Sequence, residues 1–148
     1  AMLTLGATTD NTTVTTLTAL DTFYIVGGTW VEQHASGMST DTGTGKLIAA
    51  TDGEYYVSAD VSMISSRSSA VCTFQFMIDG VESGPRIRRK IGTGADVGAL
   101  AISSYFPSVS ATSYIQLGVA GLTGDGFTAG DTITVENASI FASLQVAA

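Results

Sequence analysis

The sequence predicts an all-β, single-domain fold: a jelly-roll β-sandwich of about eight or nine antiparallel strands. Three observations carry this prediction. Tyr55, Val57, Ala59, Val61 and Met63 alternate with Tyr56, Ser58, Asp60 and Ser62. After a polar break at residues 65–69, Cys72, Phe74, Phe76 and Ile78 alternate with Thr73, Gln75 and Met77. Side chains of a strand point to opposite faces with period two, a pattern that no helix of period 3.6 presents. Secondly, turn signals such as Thr51-Asp52-Gly53 and Asp79-Gly80 separate strand-length stretches. Thirdly, no helical period, internal repeat or interdomain linker interrupts them.

Taken in order, residues 1–10 read as a flexible N-terminal arm, and residues 11–148 as the sandwich domain. Residues 11–20 are Thr-rich, with Val14 and Leu17 the main apolar members, and read as an edge strand or an extended segment. Residues 23–26, Phe-Tyr-Ile-Val, form a short apolar strand ended by Gly27-Gly28. Residues 30–45 are polar and rich in Gly, Ser and Thr, and read as a long loop with at most one irregular strand. Residues 46–50 make a strand before the Thr51-Asp52-Gly53 turn. The two alternating strands follow. Residues 81–94 are a mixed segment with Pro85 and a basic run. Residues 99–106 form a strand that stops at Pro107, and residues 114–119 alternate with Ile115, Leu117 and Val119 inward. A Gly-rich loop at 121–130 leads to a short strand at 132–135. The chain closes with Ala138, Ile140, Ala142, Leu144 and Val146 alternating against Ser139, Phe141, Ser143 and Gln145. A strand so apolar on one face belongs at the centre of its sheet, since an edge of this kind aggregates.

Composition narrows the function. The 148 residues suffice for one domain with its own core. Charged residues are only 13% of the chain, so either a partner covers much of the surface or the surface is built from Thr and Ser. The net charge of -7 argues against nucleic acid as a partner, because phosphate binding needs clustered cations. No run of about 18 apolar residues exists, so no membrane-spanning helix is expected. Residues 1–6 lack the basic region and apolar core of a signal peptide. The single Cys72 lies on the apolar side of its strand and reads as a small core residue.

Nothing marks an active site, and no enzyme, cofactor or metal is expected. The 13 carboxylates are scattered, with no pair held at a fixed spacing. His34, the only histidine, sits in a polar stretch without a Gly-x-Ser-x-Gly elbow, and one His with one Cys cannot make a zinc site of the usual type. Gly43-Thr44-Gly45-Lys46 lacks the upstream glycine and following helix of a phosphate loop. Asp125 and Asp131 flank a loop with too few carboxylates at fixed spacing for a usual calcium site. The least expected local feature is the run Arg86, Arg88, Arg89 and Lys90, four of the six cations. On a strand, Arg86, Arg88 and Lys90 share one face and Ile87, Arg89 and Ile91 the other. The run reads either as a docking patch for an acidic surface or as a source of ion pairs within or between subunits.

From Gly53 onward the order of elements carries a resemblance. Gly53-Glu54-Tyr55-Tyr56-Val57-Ser58-Ala59 resembles the Gly-x-Tyr-x-Val-small strand of the tumour-necrosis-factor and complement-globular-head jelly rolls. Phe74 to Gly80 resembles the next strand with its Asn/Asp-Gly turn, and Tyr114-Ile115-Gln116-Leu117-Gly118-Val119 a later one. Small bacteriophage virion proteins built on that jelly roll are more similar still. They often begin with a Thr-rich segment and a Phe-Tyr-x-Val strand, as residues 11–26 do. They often end in Thr-Val-x-Asn/Asp-Ala-x-hydrophobic, as residues 134–140 do.

The resemblance implies a homotrimer with one sheet packed around a threefold axis. The axis-facing positions it implies are Tyr56, Ser58 and Asp60, then Gln116 and Gly118, then Phe141 and Ser143. Small residues permit close approach and the aromatics supply anchors, whereas three Asp60 carboxylates at an axis repel unless paired. The role it implies is a phage capsid decoration protein, bound to the major capsid protein on the capsid exterior. The alternative is a tail-fibre tip recognising host glycans through exposed aromatics such as Trp30, Tyr105 and Phe106.

Overall fold

Two antiparallel sheets face each other across one apolar layer in the computed structural model, which describes residues 1–93 and 96–148. The first sheet runs β10 (Gly98–Val109), β7 (Gly53–Ser65), β12 (Thr132–Ala147), β1 (Met2–Leu5), β4 (Val31–His34), with β2 (Val14–Thr16) also paired to β12. The second runs β5 (Met38–Asp41), β6 (Lys46–Ala49), β11 (Tyr114–Gly121), β8 (Val71–Ile78), β9 (Val81–Lys90), with β3 (Tyr24–Ile25) also paired to β11. No helix occurs among the described residues, and the fold is an all-β jelly-roll sandwich.

The strands form where the alternation is strongest. In β7 every second residue from Gly53 to Ser65 is buried, and Val57, Val61, Phe74 and Phe76 all lie in the core. Tyr55 is fully buried and its hydroxyl donates to the Thr51 carbonyl at 2.9 Å, so its polar end is satisfied. Phe76 of β8 meets Phe106 of β10 edge to face, with ring centroids 6.1 Å apart, which ties the two sheets together at one seam. Asp79 and Gly80 both adopt positive φ (52° and 79°), the backbone of a two-residue hairpin turn joining β8 to β9. The closing strand is central, flanked by β7 and β1, as its apolar face requires.

Four expectations need correction. Residues 1–10 are not an arm throughout: β1 pairs with β12 from Met2↔Phe141 to Leu5↔Ala138, and Leu3 and Leu5 are fully buried. Burial of two leucines outweighs the entropy of a short terminus; only residues 7–10 form an exposed connection. Residues 30–45 are not one long loop, because β4 and β5 lie there as the outer strands of the two sheets, and Trp30 is buried. The mixed segment at 81–94 is largely β9, whose last expected residue, Gly94, lies outside the described residues. Finally, the described strands number twelve. The additional strands β1, β4 and β5 have four residues each, too few for hydrophobic alternation to reveal them.

Candidate functional site

The outer face of the first sheet is the candidate site. Register places its side chains in rows across the strands. Tyr105, Tyr56 and Ser143 make one row, and Ser103, Ser58, Phe141 and Met2 the next. Ala101, Asp60, Ser139 and Thr4 make the third, and Ala99, Ser62 and Asn137 the fourth. Three aromatics therefore lie on neighbouring rows at one end: Tyr105 is 50% exposed, Tyr56 39% and Phe141 37%. Serine and alanine fill most of the remainder, so another backbone can come close. The Tyr105 hydroxyl donates to Glu54 Oε2 at the margin of the face.

Five of the seven expected interface residues meet here: Tyr56, Ser58, Asp60, Phe141 and Ser143. Gln116 and Gly118 do not. They belong to β11 in the opposite sheet, and the chain itself covers them. Gln116 is buried and donates from Nε2 to the Thr44 carbonyl at 2.6 Å. A Cβ at Gly118 would lie 2.9 Å from Met77 Cγ. On that outer face Phe23, Met77 and Ala120 form a small apolar cluster, with Ile25 and Leu122 packed against it. The mismatch arises because alternation gives a strand's inward side but not the sheet it joins.

Charge is divided between the two sheets. The strands of the first sheet contain Glu32, Glu54, Asp60 and Glu136 but no Lys or Arg. Strand β9 of the second holds Arg86, Arg88, Arg89 and Lys90 against one acid, Glu82. Two of the four are engaged within the chain. Arg86 donates to Glu82 at 2.7 Å and to Gln75 Oε1 at 3.1 Å, and its guanidinium lies 5.2 Å from the centre of the Phe23 ring. Arg88 pairs with Asp125. Among the described residues neither Arg89 nor Lys90 forms an ion pair, and Asp60 accepts no hydrogen bond.

The remaining candidates resolve into structure. Burial pushes the Cys72 thiol up to about 12, so it stays protonated and inert. The two carboxylates of the 125–131 loop each bind an arginine, Asp125 with Arg88 and Asp131 with Arg67 Nε at 2.7 Å. Burial works to raise the Asp131 carboxyl. The Thr128 amide, the Arg67 guanidinium and the Thr128 hydroxyl outweigh it, so the group lies below the ordinary carboxylate value. No group of three or more potential metal ligands occurs among the described residues. His34 is exposed on β4. Of the three aromatics considered for glycan stacking, Trp30 and Phe106 are buried core residues and only Tyr105 is exposed.

No family model matches the chain, and no curated protein matches it in sequence. Solved structures do match in fold. The globular domain of zebrafish complement 1qA protein superposes with a TM-score of 0.54 at 8% identity, over 99% of this chain and 98% of that one. Eiger TNF from S. frugiperda superposes with a TM-score of 0.61 at 11% identity, over 99% of this chain and 92% of that one. At these identities the likeness is one of fold.

Proposed function

We propose that this chain is a non-enzymatic structural protein that works as a homotrimer, its first sheet packed around a threefold axis. The observation that carries the reading is the uncovered aromatic group Tyr56, Tyr105 and Phe141, set among serines and alanines at one end of a sheet face. A solvated sheet face gains nothing from a half-exposed Phe ring beside Ser58, whereas an interface gains its anchor there. An ordinary specific contact buries about 800 Å² per partner. Two such contacts per protomer would hide about a quarter of the 6525 Å² surface, in keeping with the low charge of the chain.

Within that reading, the role we assign is capsid decoration. The trimer would bind the major capsid protein on the exterior of a bacteriophage shell and stabilise it by mass action, since the lattice site exists only in the assembled shell. The bacteriophage assignment rests on the resemblance carried by residues 11–26 and 134–140. The alternative glycan-reading tail tip loses support from the burial of Trp30 and Phe106.

Sedimentation equilibrium tests the assembly: the expected mass is three times 15.1 kDa, and a monomer throughout the micromolar range would overturn the trimer. Co-pelleting with emptied shells of the virus tests the role. Binding in numbers comparable to the capsid subunits supports decoration. Binding to host cells without binding to shells would refute it.

A further inference from the structure

Resting on the trimer reading, we propose that the groove holding Asp60 on one protomer receives Arg89 of β9 from the next copy of this chain, with Lys90, on the other face of that strand, adding its charge at the rim. The groove has a volume of about 350 Å³ and opens on the outer face of the first sheet. Thr4, Asp60, Ser62, Asn137 and Ser139 supply its polar wall, and Leu5 and Val61 part of its apolar one. Such a site suits an Arg or Lys side chain, with an apolar wall for the stem and a carboxylate for the head. Its own sheet offers Asp60 no Lys or Arg, because none of the strands in that sheet contains one.

The cations lie on β9, at the edge of the second sheet. Arg89 lies where β9 meets β10, with its Cγ 3.2 Å from the position a Cβ would take at Gly98, and Lys90 follows it. Both are exposed and carry no ion pair among the described residues. A closed ring of three copies uses a heterologous contact, in which one surface of a protomer meets a different surface of the next. The basic β9 edge and the acidic, cation-free face are two such surfaces of opposite sign. Pairing them also removes the repulsion that three bare Asp60 carboxylates would exert around an axis.

The test reads the concentration at which half the chain is trimeric, by sedimentation, with a melting curve on each variant to verify folding. Arg89→Glu with Lys90→Glu should raise that concentration by at least about tenfold. Adding Asp60→Arg to this variant should restore it to within about threefold of the wild type. Asp60→Asn alone gives a sign test: it weakens assembly if Asp60 is paired across the interface and strengthens it if three carboxylates merely repel. A trimer that ignores the β9 changes, or tightens with Asp60→Asn, overturns this pairing and leaves the trimer standing. A monomeric wild type overturns the trimer itself.

Discussion

Removing the Phe141 ring should dissolve the trimer while leaving the sandwich folded. The ring is 37% exposed in the single chain. For an aromatic side chain of roughly 200 Å², that leaves about 75 Å² for a partner to cover. At about 25 cal/mol per Å², covering it contributes about 2 kcal/mol per protomer. A trimer covers three rings, so Phe141→Ala should cost about 6 kcal/mol per trimer, or roughly four powers of ten in the association constant. Because three chains combine, the midpoint concentration varies as the inverse square root of that constant. It should therefore rise about a hundredfold. Sedimentation across a dilution series reads this directly. Melting curves taken far below the midpoint, where both proteins are monomers, separate the loss of packing against Ser58 and Met2 from the loss of assembly. A variant midpoint within about threefold of the wild type would refute the assignment of this face.

Three further outcomes follow from single residues. Gly45 adopts φ +67°, and a Cβ there would lie 2.5 Å from Trp30 Nε1, so Gly45→Ala should destabilise the fold by about 2 kcal/mol or more; a change within about 0.5 kcal/mol in chemical denaturation would contradict that strain. Because Cys72 keeps its proton in the folded chain up to about 12, it should resist alkylation at mildly alkaline pH except by unfolding, and stability should fall as pH climbs from 9.0 toward that value. Rapid labelling of the native thiol would count against it. The depressed Asp131 carboxyl favours the fold above 3.8 and loses that contribution as pH falls through its folded value. Asp131→Asn should therefore be less stable than wild type near neutrality, with the two stability curves converging in acid; parallel curves would exclude this.

Much of the fold was legible because burial and sequence share period two along β7 and the middle of β12, and because large apolar residues alternate in the sequence of β8 and β11 even though both faces of those strands are buried. Each has long apolar runs on one face, and Phe74, Phe76, Ile115 and Leu117 are buried as the alternation requires. Strand β4 escaped because all four of its residues are exposed, so no apolar face betrays it, and β5 because only Met38 of its four residues is buried. Strand β1 left a signal, Leu3 and Leu5 alternating with Met2 and Thr4, but four residues are too few to distinguish a strand from a tail. Trp30 looked exposed because its neighbours are polar, while its actual cover comes from the turn at Gly45, distant in sequence. The site was half legible for the same reason. Alternation placed Tyr56, Ser58, Asp60, Phe141 and Ser143 off the core, but it carries no information about which strands are neighbours. Gln116 and Gly118 were therefore joined to a face they do not share.

The two outer faces of the sandwich make the case for assembly stronger than either does alone. Both have central strands flanked by neighbours, and both carry apolar groups that water disfavours. On the second sheet the chain supplies its own cover: residues 18–26 fold back, Phe23 packs on Met77 and Ala120, and strands β8 and β11 are buried on both sides. On the first sheet no segment of the described chain does the same for Phe141, Tyr56 and Tyr105. The sequence thus closes one face from within and leaves its counterpart with aromatics, small residues and an unanswered carboxylate. Exposed aromatics grouped on a sheet face invite unspecific association unless one partner is favoured over others. Charge can supply that preference. Copies each carrying a net charge of -7 repel at long range, so only an approach that brings the basic β9 edge onto the acidic face escapes the penalty. Salt then has two opposed effects. It screens the repulsion between whole chains, which favours association, and it weakens the local pairs, which opposes it. A trimer held in this way is tightest at intermediate ionic strength, whereas one held by the aromatics alone tightens steadily as salt is added.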